Sequence, residues 1–254
     1  MTEDIHHRAA LFLCSAIFLF FSIHEITGIA MSFGQLIALA SFIFSAGTIA
    51  LTYWVGISQE TVEVCVPFID GCTDITHTGL AGDAGFIFRG GMISASVLIL
   101  VWWHCMRVWL QPSIQSRAGR VNLNLMTFFG MLAGIGLVVS TATLGSSKEL
   151  SSFSVHVRGA NTFFEGILLA LSFHYYLMWR GRKNGLLEVP SFKIKTVLFV
   201  LIWIVLVAFV ANSIGEQMPR GTKIAEWWAT LFICLYLLSS YWDWKKIKLQ
   251  LAQA

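Results

Sequence analysis

Long apolar segments recur along this chain, and their length constrains its fold more than any other feature. A helix needs about 20 apolar residues to cross a membrane, and seven stretches qualify. They lie at 9–30, 33–56, 86–110, 123–144, 157–180, 196–215 and 222–244. Only 12% of the residues are charged, against roughly a quarter in soluble domains. Because lipid offers the backbone no partners outside its own segment, the sequence predicts one all-α domain over 1–254, a transmembrane bundle of six or seven helices.

The first apolar segment, 9–30, differs from the others because polar residues interrupt its end. His24 and Glu25 fall there, and no convincing cleavage site for a signal peptide follows. We interpret the segment as an additional spanning helix. A signal peptide and a helix lying in the membrane interface are the alternatives.

Charge is unevenly distributed between the two ends of the predicted helices. Eleven of the 17 lysines and arginines fall in the connections 107–122 and 180–195 and in the tail after residue 244. The connection 57–85 carries five acidic residues and no basic one. Since cytoplasmic loops are enriched in basic residues, loop 57–85 is predicted to be non-cytoplasmic and the C-terminus cytoplasmic. The net charge of +3 needs no nucleic acid to explain it, and the basic turn WRGRKNG (179–185) predicts contacts with anionic lipids.

Loop 57–85 contains an unusual stretch, CVPFIDGCTDITHTG. Its two cysteines, Cys65 and Cys72, are predicted to form a disulfide, because disulfides persist outside the cytoplasm. Pro67 and Gly71 favour the turn that would bring the sulfur atoms together. Metal binding is the alternative, although this spacing with one nearby histidine does not match the usual zinc sites.

Four stretches together form a recognisable pattern: PFIDGCTDITHTG, FIFRGGMISAS, HVRGANTFFEGILLALSFHYYL and EWWATLFICLYLLSSYWDW. The pattern resembles the Frag1/DRAM/Sfk1 family over residues 33–244, and within it the post-GPI-attachment subgroup. The resemblance implies a role in membrane lipid biology, such as remodelling of GPI-anchor lipids, organisation of plasma-membrane lipids or modulation of autophagy. The family usually has six spans, so segment 9–30 is additional here. Leu237 stands where members of the subgroup carry a histidine.

Polar residues are predicted to gather near the non-cytoplasmic mouth of the bundle. They are Asp74, His77, Arg89, His156, Arg158 and Glu226. An arginine inside a span is costly unless it is paired or faces water, and arginine with histidine suits a phosphate or carboxylate headgroup. This set is therefore predicted to bind lipid, with His77, His156 and Glu226 as candidates for acid–base catalysis. The alternative is a hydrogen-bonded cap holding loop 57–85 over the bundle, with Arg89 reaching the interface.

A second set of histidines is predicted to share one layer in the cytoplasmic third of the membrane: His24, His104 and His174. With a nearby carboxylate such as Asp243, they could hold zinc and activate a water for lipid hydrolysis, or two of them could ligate a haem. The alternative is that each ring lies separately at the interface. Glu165, in the middle of a span, is expected to be buried and to line a polar cavity.

The leading hypothesis is an integral membrane protein that binds or remodels a lipid, by its headgroup or acyl chain, at the non-cytoplasmic leaflet. An intramembrane metal-dependent lipid hydrolase is the first alternative. A non-catalytic scaffold that modulates a partner membrane protein is the second. The sequence assigns neither a cofactor nor a reaction.

Overall fold

The computed structural model describes residues 31–144, 150–214 and 219–245, and all regular structure in these ranges is helical. Segment 9–30, with His24, lies outside the described residues. The predicted all-α transmembrane fold is confirmed, because five helical stretches are long and apolar enough to cross a membrane. They are Phe33–Ser58, Gly82–Ser113, Arg117–Thr143, Phe192–Phe209 and Arg220–Asp243.

The first of these spans consists of two helices joined without a break. Helix α1 (Phe33–Phe42) continues through a π-helical turn (Ile43–Gly47) into α2 (Thr48–Ser58). The Ser32 hydroxyl accepts from the Gln35 N–H, and the Gln35 side chain accepts from the Ser32 N–H in return. This reciprocal capping satisfies two backbone donors and fixes the start of α1.

Two short turns occupy the connection after α2, and long helices make up most of the remaining chain. In order, the elements are α3 (Pro67–Asp70), a 3-10 turn (Thr76–Gly79), α4 (Gly82–Leu110), a second 3-10 turn (Gln111–Ser113), α5 (Arg117–Thr143), α6 (Leu150–Lys183), α7 (Phe192–Ile214) and α8 (Pro219–Asp243). Helix α4 packs against α1, α2 and α5, whereas α8 packs against α1, α3 and α7. The largest fully buried side chains include Trp102, Trp103, Tyr236 and Trp244, on or just after α4 and α8. These two helices therefore supply much of the core.

Helix α6 is the longest, with 34 residues and a length of about 51 Å. It is not among the five apolar spans found in the described ranges, so the span expected at 157–180 stays a prediction. Helix α6 packs closely along α5. A Cβ atom on Gly136 would come within 2.9 Å of the Gly159 oxygen, and one on Gly159 within 2.6 Å of the Ser140 nitrogen. Small residues permit this close backbone approach between helices in membranes.

Candidate functional site

The loop between α2 and α4 is closed by the disulfide predicted from the sequence. Cys65 and Cys72 are bonded, with their Cα atoms 6.6 Å apart, and they enclose the short helix α3. Helix α3 ends at Gly71, whose φ of 57° lies in the left-handed region that glycine adopts without penalty. The Tyr53 hydroxyl on α2 donates to the Cys65 carbonyl, which joins the disulfide to the end of the first span.

The same loop is docked on the first turns of α8. The indole N–H of Trp227 donates to the Thr73 carbonyl at 2.9 Å, and that of Trp228 donates to the Phe68 carbonyl at 3.1 Å. The Phe68 ring also lies edge-on to both indoles. Nearby, Lys223 Nζ donates to the Cys72 carbonyl at 3.2 Å. The loop therefore forms a fixed cover over one end of the bundle, as the cap interpretation of the sequence expected.

Asp74 organises the second half of this cover. Its Oδ1 atom accepts hydrogen bonds from the Thr76 hydroxyl at 2.9 Å and from the His77 N–H at 2.6 Å. An aspartate in this position satisfies donors that the 3-10 turn leaves open. The His77 side chain is exposed, so the turn presents it to the outside and not to the bundle.

Arg89 and His156 both bind the carboxyl-terminal end of α5. Arg89 Nη1 donates to the Leu144 carbonyl at 3.1 Å, and His156 Nδ1 lies 2.8 Å from the Ser140 carbonyl. Cations are favourable at this end of a helix because its last carbonyls lack partners. The partner that the structure shows for Arg89 is thus a backbone carbonyl. Arg158, two residues after His156 on α6, is exposed.

A cavity of about 70 Å³ lies directly beneath the cover. Ile75 and Thr76 contribute to its lining from the loop, while Ser140, Thr230 and Glu226 add polar groups among mostly apolar side chains. A water occupies at least about 10–15 Å³ on the same scale, so roughly five water-sized atoms fit. The cavity can hold a small polar group but not a whole lipid.

Glu226 is the one acidic or basic residue that the structure places on the wall of this cavity. Its carboxyl group interacts with the backbone N–H of Ile75 and with the charges of Asp74 and Lys223. Glu165, by contrast, is exposed on α6. The expectation that Glu165 is buried is therefore wrong, because its position on α6 turns it away from the interior.

The serine and histidine beside the cavity do not form an activated nucleophile. Ser140 Oγ lies 3.2 Å from His156 Nδ1, within the reach expected for a nucleophile and its base. The same nitrogen lies closer, at 2.8 Å, to the Ser140 carbonyl, which can only accept a hydrogen bond. Nδ1 therefore carries the proton and cannot take another from the serine. This geometry favours binding over nucleophilic chemistry.

The predicted mouth residues thus divide into three groups. Asp74 lies in the cover and Glu226 beneath it, and their like charges repel. Arg89 and His156 each contact a carbonyl near the end of α5. His77 and Arg158 face outward. Three hydroxyl residues that line the cavity, Ser140, Thr141 and Thr230, were not among the predicted site residues. Hydroxyl residues stand out within apolar spans, but the sequence does not show whether they face the interior, because this depends on how each helix is rotated about its axis.

The histidines predicted near the other end occupy different environments. His104 is exposed on α4, whereas His174 is fully buried on α6 with its Nδ1 atom 2.8 Å from the Tyr236 hydroxyl. Asp243, the carboxylate expected nearby, is bonded to Lys195 and Ser191. Among the described residues no group of three potential metal ligands occurs, and the third histidine lies outside them. The metal-site hypothesis therefore gains no support from this part of the chain.

Comparison with protein families identifies the part of the chain that contains these features. The model of the Frag1/DRAM/Sfk1/Cwh43P N-terminal domain matches residues 33–247, which include every described helix, the cover and the cavity. Comparison with curated proteins found no match, and comparison with solved structures found none. The resemblance noted in the four sequence motifs is confirmed at the level of the family.

Proposed function

The chain belongs to the Frag1/DRAM/Sfk1 family of multi-pass membrane proteins, and on this premise we propose that it binds a membrane lipid at the cavity beneath the disulfide-closed cover. The observation that carries the proposal is the position of Glu226. It lines a cavity whose other walls are mostly apolar. Ionisable groups inside membrane spans are rare and costly, and are therefore functional candidates.

The composition of the walls matches an amphiphile. Glu226 and the hydroxyls of Thr76, Ser140 and Thr230 provide hydrogen-bonding groups, whereas the remaining walls accommodate hydrocarbon. The volume of about 70 Å³ suits a hydroxyl, amine or ester portion of a lipid, with the acyl chains left in the surrounding bilayer. Donors on the lipid would complement the carboxyl group, so we propose a hydroxyl- or amine-bearing headgroup.

Asp74, His77, Arg89, His156 and Arg158 would then act around this cavity and not inside it. Asp74 shapes the cover, and Arg89 and His156 fix the end of α5. His77 and Arg158, both exposed, would meet headgroups at the membrane surface. A remodelling reaction with Glu226 as the acid or base, and assignment to the post-GPI-attachment subgroup, stay predictions.

The orientation proposed for this site is non-cytoplasmic. Ser191, in the α6–α7 connection, is hydrogen bonded to Asp243 at the end of α8, and a Cβ on Gly181 would lie 3.5 Å from Ser113 Oγ. These contacts support a common end for the three basic regions. With that end in the cytoplasm by the positive-inside rule, the cover and the cavity face the other leaflet.

Lipid retained by the purified protein tests the proposal. We would purify the wild type and two variants, Glu226→Gln and Ala160→Met, and quantify bound lipid per protein by mass spectrometry. Ala160 lines the cavity, and methionine is flexible enough to fill it. Both variants are expected to lose a specific lipid by about tenfold, Glu226→Gln because a hydrogen bond to the carboxyl group is lost and Ala160→Met because the space is filled.

Glu165→Gln is the matched control, because it removes the same charge from an exposed position on α6. It is expected to retain the lipid at the wild-type level. Unchanged lipid in both cavity variants would overturn the proposal and favour the scaffold hypothesis.

A further inference from the structure

A second cavity lies far from the cover in sequence, between the start of α5 and the end of α6. Its volume is about 190 Å³. The residues around it come from the α4–α5 connection and first turn of α5, and from the last turns of α6 with the following loop. These are two of the three basic regions of the chain. We propose that this cavity binds a phosphate group, supplied by an anionic lipid headgroup or by a soluble phosphate.

The polar groups around the cavity are mainly donors. Arg180 carries five N–H donors, and among the residues that the structure describes only its Nη1 has a partner, the Tyr176 hydroxyl at 2.9 Å. Within the described part of the chain, the side-chain amides of Gln115 and Asn184 have no hydrogen-bond partner. The Ser116 hydroxyl accepts from the Gly119 N–H, which leaves its own O–H available. Guanidinium, amide and hydroxyl donors around one space suit a phosphate.

The charge around the cavity argues against a cation as its ligand. None of the residues that line this cavity is acidic, so it lacks the carboxylates with which proteins usually hold cations. Exposed basic side chains flank it on both sides: Arg117, Arg120 and Lys183. They would raise the local concentration of anions and of acidic lipids.

The walls are held by the backbone and not by the polar side chains. The Leu186 N–H donates to the Gly181 carbonyl at 2.9 Å, and the Asn184 N–H donates to the Arg180 carbonyl at 3.1 Å. Across the cavity, the Ile114 N–H donates to the Gln111 carbonyl. Because backbone hydrogen bonds shape the two loops, the side chains of Gln115 and Asn184 and the remaining N–H groups of Arg180 are available for a ligand.

The apolar part of the lining suits a lipid. Ile114, Leu177 and Leu186 supply hydrocarbon surface beside the donors. On a scale where a water takes about 10–15 Å³, the cavity accommodates roughly fifteen water-sized atoms, which is enough for a phosphate with its glycerol. It also lies where three long helices end, so a headgroup would reach it from the membrane surface. This site is independent of the cavity beneath the cover.

Binding of short-chain lipids to the purified full-length protein tests the proposal. Short-chain phosphatidic acid is expected to bind and to raise the melting temperature, whereas short-chain phosphatidylcholine is not. Arg180→Gln should weaken phosphatidic acid binding by about tenfold or more, since it removes a charged hydrogen-bonding partner. Arg180→Lys should bind phosphatidic acid with an affinity between those of the wild type and Arg180→Gln, because lysine keeps the charge but lacks the planar set of donors of arginine.

Arg182→Gln is the matched control, because it loses the same charge in the same turn. The Arg182 guanidinium lies over the Phe192 ring at 4.2 Å and does not line the cavity. If Arg180→Gln fails to fold, the double variant Gln115→Ala with Asn184→Ala replaces it, and the same loss of binding is expected.

Inorganic phosphate identifies the source of the ligand. Competition by phosphate at concentrations similar to those of the lipid supports a soluble ligand, and failure to compete supports a lipid headgroup. Equal affinity of wild type and Arg180→Gln for phosphatidic acid, or equal binding of phosphatidylcholine, would overturn the proposal.

Discussion

Lys195 and Asp243 form a salt bridge with an Nζ–Oδ2 distance of 3.0 Å, and neither side chain is exposed. Serine hydroxyl groups form additional hydrogen bonds with both side chains. Lys195 Nζ donates to Ser239 Oγ at 2.6 Å and to Ser240 Oγ at 3.1 Å. Asp243 accepts from the N–H and the hydroxyl of Ser191, at 3.0 and 2.6 Å. All three N–H donors of the ammonium group thus have acceptors, and the pair joins the first turn of α7 to the last turn of α8.

Removal of one member of this pair should destabilise the protein strongly. Lys195→Met or Asp243→Leu leaves an unpaired buried charge, which costs about 3–5 kcal/mol. The double variant should recover most of that loss, because two apolar residues leave no charge to compensate. Reversible unfolding in mixed micelles measures both effects.

Lys193→Met serves as the control for this prediction, since Lys193 is exposed two residues away. Its stability should match the wild type. A double variant no more stable than the single variants would show that the salt bridge is not the source of the loss.

Gly71 should tolerate alanine less well than Gly185 does. Both have positive φ, 57° and 69°, so alanine costs each of them about 1–2 kcal/mol. A Cβ on Gly71 would in addition lie 2.4 Å from the Arg220 oxygen, whereas nothing lies within 4 Å of one on Gly185. Overpacking typically adds about 1–3 kcal/mol.

Unfolding of Gly71→Ala and Gly185→Ala, compared side by side, measures this difference. A larger loss of unfolding free energy in Gly71→Ala would reflect displacement of the cover from α8. Changed fluorescence of Trp227 and Trp228 should accompany this displacement. Equal losses in the two variants would mean that the cover moves without cost.

Arg89 should contribute to stability more than to lipid binding. Arg89→Gln removes the cation from the end of α5 and is expected to cost about 1–2 kcal/mol. Arg158→Gln, at an exposed position on the neighbouring helix, should leave the stability unchanged. Retained lipid, measured as for Glu226→Gln, should stay at the wild-type level in Arg89→Gln. If Arg89→Gln instead kept its stability and lost lipid, Arg89 would be a ligand of the lipid.

The sequence predicted the helices and the disulfide because each depends on local information. Apolar length defines a span without knowledge of its neighbours, and Cys65 and Cys72 are close along the chain. The partner of Arg89 could not be predicted, because every helix end offers carbonyls and only the packing selects Leu144. Lys195 was counted among the cytoplasmic cations, since the sequence does not show that Asp243 lies beside it.

Two glutamates show the same limit more sharply. Glu165 and Glu226 are the same residue type within predicted spans, yet one is exposed and the other lines the cavity. The rotation of each helix about its axis decides between these outcomes. That rotation depends on contacts such as the close approach of Gly136 to α6, which no short stretch of sequence contains.

The pairing of Lys195 with Asp243 has a consequence for biogenesis. Lys195 emerges from the ribosome 48 residues before its partner, and a lone lysine within a span is expensive in lipid. The Ser191 N–H, just before α7, also lacks the Asp243 oxygen that receives it until residue 243 has been made. Helices α7 and α8 are therefore expected to enter the bilayer together as a hairpin.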